Sequence, residues 1–384
     1  MTPWVRGRAR NLAFPLARMG LAVALLGCDS ATAGNSQPPN VELATDVVAT
    51  GLDTVWELAW GPDGLIWMTE RGGRVSRVNP LTGAVAVVGQ VAVSEIGEGG
   101  LMGLAFHPDF ATQPWVYVAH TYTGQSGVRN RIVRMRFDGS ALGPPEVIVG
   151  DVPGSSIHNG ARLAVGPDRL LYITTGDASD ASIAQNRDAL AGKVLRVTLD
   201  GQPAPGNPFG TRVYSYGHRN PQGMTFAPDG SLYITEHGPS DNDEVNRVEA
   251  GRNYGWPAVH GRCDGDAGMN EMSFCSANNV AEPIAIWTPT IAPAGLAYYD
   301  ATTIPGFRGS LIFATLKDAT LYRLSLSPDG RSVESLETLF VREFGRLRAV
   351  LVAPDGVIYL GTSNRDGRGT PMPTDDRIIR IRPR

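Results

Sequence analysis

The sequence lacks several features that would place it in common functional classes. Basic residues are not in excess, since 34 Lys and Arg stand against 38 Asp and Glu, and the net charge of −4 gives no basic surface for nucleic acid. No segment beyond the N-terminus is apolar enough to span a bilayer, and helical patterns of real length are nearly absent. No Gly-x-Gly-x-x-Gly fingerprint opens a βαβ unit, which argues against a dinucleotide site. We therefore expect a soluble body made of short strands.

The N-terminus predicts export. Four arginines precede an apolar run, Met19–Leu26, that is too short for a stable membrane span. The run ends in Leu-Leu-Gly-Cys28, which is similar to a bacterial lipoprotein box, so residues 1–28 are interpreted as a signal peptide with a lipid-modified Cys28. The alternative is an ordinary signal peptide cut near Ala31–Ala33. Residues 29–45 would form a tether, and we expect a periplasmic protein whose only membrane contact is a lipid anchor.

Cysteine is scarce, with only three residues in 384. Beyond Cys28, only Cys263 and Cys275 remain, close together in a loop rich in Gly and Asn. An even pair in an exported protein predicts a disulfide, because disulfides persist in oxidising compartments. The alternative is metal binding, for which two isolated cysteines lack a His partner.

Gly and Pro, by contrast, are abundant, with 46 and 28 residues, and they mark a phrase that returns six times. In the copy Leu58–Glu70, a short apolar strand meets a Gly-Pro-Asp-Gly turn and an aromatic or β-branched strand leaves it, which is the pattern of a β-hairpin. The other copies begin at Leu104, Leu163, Met224, Leu296 and Val350. Their spacing of roughly 45 to 70 residues suits four-stranded propeller blades with variable loops.

Six copies predict six blades. The expected fold class is all-β, a six-bladed β-propeller with four-stranded antiparallel blades over residues 46–384. A β-sandwich of similar hairpins is the alternative, but it gives no reason for one phrase to return six times. Because the innermost strands of a propeller converge on one axis, loops far apart in sequence meet at one end of the channel. We therefore expect a site assembled from several blades.

Three polar loops rich in Gly and Pro follow one another closely: Tyr214–Gly223, Thr235–Asn246 and Asn253–Pro257. Core packing does not explain them, because Arg, Asn, Gln and Glu are rarely buried without partners. Together with five further motifs, they resemble the soluble glucose and aldose sugar dehydrogenases that use pyrroloquinoline quinone (PQQ), the glucose/sorbosone dehydrogenase-like family, from about Gly51 to the C-terminus. The further motifs are Gly97–Phe110, His158–Leu163, Gly176-Asp177, Thr315–Lys317 and Arg346–Arg348.

The resemblance implies PQQ- and calcium-dependent oxidation of an aldose at the anomeric carbon to its lactone. His158 matches the catalytic base, and a neutral imidazole is suited to take the hydroxyl proton. Asp177 matches the carboxylate that holds this base and contacts substrate. Arg219 matches a catalytic cation beside the reactive carbonyl, where it would stabilise negative charge. A lone histidine more often only bonds to the backbone, and Asp177 one hairpin away favours catalysis instead.

The implied cofactor is a flat ortho-quinone with three carboxylates, so its pocket needs cations and a Lewis acid. Arginine can hold a carboxylate in bidentate fashion, whereas most arginines of a chain are solvated surface charges. The cofactor-binding residues that the resemblance implies are Arg219, Asn220, Gln222, His237, Lys317, Arg346 and Arg348.

Calcium takes oxygen ligands, including backbone carbonyls. Gly238 and Pro239 match the carbonyl ligands of the calcium that grips the quinone. Glu244 and Tyr254 match residues of a second, structural calcium site. The acidic run at 241–244 could instead be a solvated loop.

Three positions depart from the glucose-specific pattern. His237 stands where the soluble glucose enzyme has Gln, Glu98 stands where a sugar-contacting Gln is common, and Ala349 replaces an acidic residue. Glu98 is therefore a substrate-binding candidate, and the sugar itself stays open. The expected partners are a small sugar and an electron acceptor, either a cytochrome or a quinone.

Two other functions are compatible with a propeller. A calcium-dependent lactonase would need carboxylate and Asn ligands on the axis and has no use for the basic cluster of Lys317, Arg346 and Arg348. A propeller that only binds a partner has no need of His158, Arg219 and Lys317 together. The residues thus favour the dehydrogenase.

Overall fold

The computed structural model describes residues 41–384, which form 24 β-strands, one short 3-10 helix and one short α-helix. The strands make six four-stranded antiparallel sheets, the blades of a β-propeller. The predicted fold class is confirmed. The predicted signal peptide, Cys28 and residues 29–40 of the predicted tether lie outside the described residues.

Each blade is one sheet, and the strands within it are numbered in chain order. Blade 1 contains β2 (Val55–Trp60), β3 (Ile66–Glu70), β4 (Arg74–Val78) and β5 (Val85–Gln90). Blade 2 contains β6 (Leu101–Phe106), β7 (Trp115–Gly124), β8 (Gly127–Arg136) and β9 (Glu146–Pro153). Blade 3 contains β10 (Gly160–Val165), β11 (Leu171–Thr175), β12 (Lys193–Val197) and β13 (Val213–Tyr216).

The remaining blades follow the same pattern until the ring closes. Blade 4 contains β14 (Pro221–Phe226), β15 (Leu232–Glu236), β16 (Asp243–Val248) and β17 (Ala285–Trp287). Blade 5 contains β18 (Pro293–Tyr299), β19 (Ser310–Thr315), β20 (Leu321–Leu326) and β21 (Val333–Leu339). Blade 6 contains β22 (Leu347–Val352), β23 (Ile358–Thr362), β24 (Ile378–Pro383) and, as its outermost strand, β1 (Leu43–Ala49).

The two ends of the described chain meet in blade 6. Strand β1 pairs antiparallel with β24, so that Leu43 faces Pro383 and Val47 faces Ile379. The first strand therefore completes the blade that the last three strands begin. This pairing closes the ring and leaves no gap between the first and last blades.

The repeated phrase of the sequence is the innermost hairpin of each blade. Its six copies form β2, β6, β10, β14, β18 and β22 with the turns that follow them, and each of these strands contacts the innermost strand of the next blade. The turn aspartates accept hydrogen bonds from the backbone two residues later, as Asp168, Asp229 and Asp355 do at 3.2, 2.9 and 3.0 Å. The Pro-Asp turns thus all lie at one end of the propeller, and the starts of the innermost strands lie at the other.

Every innermost strand has a register irregularity close to its start. Such irregularities re-aim side chains, and three of them carry Arg162, Gln222 and Arg348. Arg348 Nη1 donates to Gln222 Oε1 at 3.3 Å, although the two residues belong to blades 6 and 4. Arg162 of blade 3 likewise pairs with Glu57 of blade 1 at 2.5 Å. Bonds between blades that are not neighbours cross the central channel, so these side chains lie on the axis.

The loop between β16 and β17 carries the helix α1 (Glu271–Asn278) and the disulfide. Cys263 and Cys275 are bonded, with their Cα atoms 6.2 Å apart, which confirms the predicted pairing. The 3-10 helix (Ala181–Gln185) precedes β12 in blade 3. Neither helix among residues 41–384 has the length or hydropathy of a membrane-spanning segment.

Candidate active site

The predicted site residues lie at the end of the propeller opposite the Pro-Asp turns. Most of them come from loops before the innermost strands, such as His158 before β10, or from loops after the second strands, such as Lys317 after β19, and Gln222, Glu244 and Arg348 lie at the second residue of a strand. Five blades contribute. The structure thus brings together loops that are more than 200 residues apart in sequence.

His158 and Asp177 form a hydrogen-bonded pair. His158 Nδ1 lies 2.8 Å from Asp177 Oδ1, and Asp177 is only 1% exposed. Trp256 Nε1 donates to the other carboxylate oxygen at 2.9 Å, and Ser179 N donates to Oδ1 at 2.8 Å. This geometry places a proton on Nδ1 and leaves the Nε2 lone pair without a hydrogen-bond partner among residues 41–384. The arrangement is that of a histidine ready to accept a proton at Nε2.

The local backbone explains why these two residues can meet. His158 has a φ of 59°, a left-handed conformation that non-glycine residues adopt only when the surroundings enforce it. The loop around it packs directly on Gly176, where a Cβ atom would lie 2.0 Å from the His158 carbonyl oxygen. Only glycine permits this approach, and it carries Asp177 next to the imidazole.

Glu98 lies beside this pair. Its Oε2 accepts a hydrogen bond from His158 N at 3.4 Å, and its Oε1 pairs with Arg368 Nη1 at 2.6 Å. Burial would raise the pKa of Glu98, but the positive charges of His237, Arg368 and Arg348 hold that pKa below its ordinary value. The protein therefore keeps a carboxylate next to the candidate base.

Three of the predicted cofactor contacts form a buried chain across the axis. Asn220 Oδ1 accepts from Gly160 N and from Gln222 Nε2, each at 3.1 Å. Gln222 in turn accepts from Arg348. All three side chains are at most 5% exposed. This series of hydrogen bonds connects Gly160, which follows His158 by two residues, to Arg348 of blade 6.

Arg346 and Arg348 share one carboxylate. Asp366 Oδ2 lies 2.7 Å from Arg346 Nη2 but 4.0 Å from Arg348 Nη2. Arg348 otherwise bonds to neutral groups, Ser363 Oγ and Gln222 Oε1, and burial lowers its pKa to about 10. At neutral pH this arginine is a buried cation whose one carboxylate neighbour among residues 41–384 lies 4.0 Å away and is bound more closely by Arg346.

Lys317 lies on the next blade, within reach of the same cluster. Its Nζ donates to Thr290 Oγ1 at 2.6 Å, and no carboxylate oxygen of residues 41–384 lies within 4.0 Å of it. The carbonyl of the preceding residue, Leu316, accepts from Arg346 Nη1 at 3.0 Å. The basic cluster predicted from the sequence is therefore assembled in space.

Arg219 and His237 lie in the two loops of blade 4 that border the site. Arg219 Nη1 donates to His237 O at 3.1 Å, and its guanidinium lies 5.2 Å from the centre of the Trp256 ring. Burial lowers the pKa of Arg219, and its Nε atom is buried without a partner in the described part of the chain. His237 Nε2 lies 2.9 Å from Pro293 O, and burial lowers the pKa of His237.

The four predicted metal-binding residues share one small cavity of about 10 Å³, with room for about one water-sized sphere. Gly238, Pro239, Glu244 and Tyr254 all line it. Glu244 accepts from Asn246 Nδ2 at 2.7 Å and from Gly261 N at 3.0 Å. Burial, together with the charge of Glu236, raises the pKa of Glu244 well above its ordinary value. Residues 41–384 contain no cluster of three or more His, Cys, Asp or Glu side chains suited to a metal.

A comparison with known proteins identifies the family. The Glucose / Sorbosone dehydrogenase family model matches residues 52–378. The chain belongs to this family. As a glucose/sorbosone dehydrogenase family member it is an oxidoreductase of the sugar dehydrogenase type, which confirms the predicted enzyme class.

Three relatives place the chain more closely within the glucose/sorbosone dehydrogenase family. The PQQ-bound aldose sugar dehydrogenase of Streptomyces coelicolor is 39% identical with a TM-score of 0.78, and the match covers 90% of this chain and 99% of that one. Aldose sugar dehydrogenase YliI of Escherichia coli is 31% identical, covering 85% of this chain and 91% of the relative. Quinoprotein glucose dehydrogenase B of Acinetobacter calcoaceticus is 30% identical, covering 82% and 84%.

Sequence reasoning missed three residues of this site. Trp256 holds Asp177 and covers Arg219, Asp366 binds the arginine pair, and Arg368 binds Glu98. Trp256 stands in a loop that the sequence marks as polar, so its place in the site could have been suspected. Asp366 and Arg368 stand in a Gly- and Arg-rich segment whose position depends on how blade 6 meets blade 1, which no local pattern reveals.

Proposed function

We propose that this protein oxidises an aldose sugar at its anomeric carbon to the lactone, using PQQ and calcium, with His158 as the general base. The observation that carries the proposal is the His158–Asp177 pair. His158 Nε2 has no hydrogen-bond partner among residues 41–384, and it lies at the same end of the propeller as Lys317, Arg346 and Arg348, which have one carboxylate between them. Family membership supports the sugar dehydrogenase class, and a PQQ-bound relative supports the cofactor.

The basic cluster fits a ligand with several carboxylates. Arg346, Arg348 and Lys317 bring three positive charges, and Asp366 supplies the one carboxylate within 4.0 Å of any of them among residues 41–384. Of the three, Arg348 is buried, and burying a cation is costly unless an anion pairs with it. A cofactor with three carboxylates would supply the missing charge, and Arg348 would hold one of them through its planar fork.

Calcium fits the cavity that Gly238, Pro239, Glu244 and Tyr254 line. The carbonyl oxygens of Gly238 and Pro239 accept no hydrogen bond in the described part of the chain. A bound cation would lower the pKa of Glu244, which burial now raises, and so would remove the cost of ionising it. We assign the one ion that this cavity can hold to the calcium that contacts the cofactor through the two carbonyls. Glu244 and Tyr254 stay assigned to a second, structural calcium, which this cavity is too small to hold as well.

The chain's own residues would handle the proton. When bound, PQQ supplies the acceptor for the hydride that leaves the sugar carbon, and calcium polarises the accepting carbonyl. His158 Nε2 takes the hydroxyl proton, and Asp177 stabilises the imidazolium that forms because it bonds to Nδ1. Trp256 holds Asp177, and Arg219 supplies a fixed positive charge beside them.

Glu98 is assigned to the sugar. Its carboxylate lies next to His158, and Arg368 from blade 6 neutralises it without removing its capacity to accept hydrogen bonds. A neutral sugar that offers a hydroxyl donor would suit this pair. A cytochrome or a quinone would then take the electrons from the reduced protein.

The test of this function uses the apo-protein. Adding PQQ and calcium together is expected to give dye reduction with aldoses, and either one alone is expected to give none. A panel of aldoses and simple alcohols would identify the substrate class. Turnover supported by nicotinamide or flavin alone would contradict the proposal.

We also propose that the protein is exported to the periplasm and that a lipid on Cys28 anchors it. The disulfide supports an oxidising compartment. The expected result is that mass spectrometry of the membrane fraction finds a lipid-modified Cys28 as the first residue. A periplasmic protein that begins near Ala31–Ala33 would exclude the lipid, and a chain that keeps residues 1–28 in the cytoplasm would exclude export.

A further inference from the structure

Asp243 is a buried carboxylate that joins two blades. It is 1% exposed, and its Oδ1 atom accepts a hydrogen bond from Gly238 N at 2.8 Å. Its Oδ2 atom accepts from Ile291 N at 2.6 Å and from Ala292 N at 2.7 Å. Gly238 belongs to the loop before β16 in blade 4, and Ile291 and Ala292 precede β18 in blade 5. Both oxygens are therefore used, one by each blade.

The blade 4 end of this connection leads to the candidate calcium carbonyls. The turn at Gly238 is tight, since a Cβ atom there would lie 1.9 Å from Asp241 O. Its N–H donates to Asp243, which fixes the peptide plane between His237 and Gly238 that leads into the Gly238 and Pro239 carbonyls. Asp243 therefore fixes the backbone of the turn rather than acting as a ligand itself.

The blade 5 end leads to Lys317. Ile291 O accepts from Lys317 N at 3.1 Å, and Ala292 O accepts from Leu316 N at 2.9 Å. The segment that presents Lys317 thus rests on the same two residues whose N–H groups Asp243 holds. Ala292 has a φ of 54°, a left-handed conformation that is unfavourable for alanine and that the bond to Asp243 helps to maintain.

We propose that Asp243 is a positioning residue that sets the Gly238–Pro239 turn and the backbone segment that carries Lys317 at a fixed separation, so that one ligand can use both. This inference rests on the proposed function, because that ligand would be PQQ held through calcium and Lys317. A carboxylate suits the role, since its two acceptor oxygens satisfy three N–H donors and no other side chain of its size offers only acceptors.

The decisive variant is Asp243→Asn, with Asp241→Asn as its matched control. Asparagine has one acceptor oxygen, and its NH₂ group would face N–H donors on the other side, so one half of the connection is lost. Asp241 lies in the same loop, and its side chain accepts no hydrogen bond within residues 41–384. Each variant removes one negative charge from the same loop, so a long-range electrostatic effect on calcium binding should be similar in both.

Two measurements that do not involve turnover separate positioning from plain stability. The first is the calcium concentration at which half of the protein binds PQQ, followed by PQQ absorbance well below the unfolding temperature. The second is the nuclear magnetic resonance signal of a carbon-13 methylated lysine. The chain has only two lysines, and Lys193 is 0% exposed, so Lys317 is the accessible reporter in apo-protein.

For Asp243→Asn we expect the calcium midpoint to rise roughly tenfold, the effect of losing about one hydrogen bond to a charged acceptor. We also expect the Lys317 resonance to shift, whereas Asp241→Asn should leave both unchanged. If Asp243→Asn does not fold, Ala292→Gly is added, because glycine adopts the left-handed conformation without strain. The double variant should then regain stability but keep the raised midpoint and the shifted resonance.

The outcomes distinguish this inference from the proposed function. A parent protein that binds no PQQ with calcium present would refute the proposed function, and the Lys317 resonance would still test the role of Asp243 in the apo-protein. An unshifted resonance in Asp243→Asn would refute the inference, as would a calcium midpoint equal to that of Asp241→Asn. A lowered unfolding temperature with both readouts unchanged would show a structural role only.

Discussion

Replacing His158 by alanine is expected to lower kcat by about 10²- to 10⁴-fold, the usual contribution of a positioned general base. PQQ binding should stay nearly intact, because His158 bonds to Asp177 and not to the basic cluster. The loss should therefore appear in kcat and not only in KM. The measurement is the rate at which sugar reduces the bound quinone in a single turnover.

The backbone at His158 calls for a second variant and a control. Because its φ of 59° is left-handed, alanine adds strain there, whereas asparagine tolerates that conformation. His158→Asn should thus show the same loss of kcat with a smaller loss of stability. His107→Ala, at the Pro-Asp end of blade 2, is the control and should keep the parental rate. A His158→Asn protein that reduces its quinone at the parental rate would refute the mechanism.

Arg348→Ala is expected to weaken PQQ binding first, by roughly 10- to 100-fold. The reason is that a carboxylate of the cofactor would lose its bidentate partner, and a hydrogen bond to a charged group contributes about 1.5–3 kcal/mol. Once loaded at saturating PQQ, the variant should turn over at close to the parental kcat. The measurement is an equilibrium titration of apo-protein with PQQ at fixed calcium.

The same titration can separate the effect of the planar guanidinium group on PQQ affinity from the effect of removing any arginine from the protein. Arg348→Lys keeps the charge but loses the fork, so its affinity should fall between those of the parent and the alanine variant. Arg196→Ala removes an arginine that pairs with the turn aspartate Asp168 at 2.8 Å, at the Pro-Asp end of blade 3, and should not change PQQ affinity. An unchanged PQQ affinity combined with a reduced kcat in Arg348→Ala would show that the arginine acts on the reaction instead.

The fold was accessible from the sequence because each blade repeats one local signal. The copy at Leu58–Glu70 and the copies from Leu104 to Val350 all became innermost hairpins. Turn chemistry of this kind is local, since Pro sets the backbone angle and Asp bonds to the backbone two residues on. The use of β1 in the last blade was not predicted, because strand β1 carries no copy of the phrase and its partner β24 lies more than 300 residues away.

The site was accessible only in part. The motifs indicated His158, Asp177 and the basic cluster, and the structure places them at one end of the axis. The acidic run at 241–244 left open a solvated loop, and the structure shows instead that Asp243 is buried under three N–H donors. Sequence spacing could not separate these alternatives, because two of the three donors, Ile291 N and Ala292 N, come from a different blade.

By itself the sequence determined the number of blades, the place of the turns, the disulfide pair and the types of residue available for chemistry, since each depends on local patterns or on composition. The tertiary structure alone decided which charges meet. Arg348 finds Gln222 two blades away, Asp366 holds Arg346 more closely than Arg348, and Arg368 reaches Glu98 across 270 residues. Such contacts depend on closing the ring around its axis, because a propeller brings loops together through the packing of whole blades and not through their order in the chain.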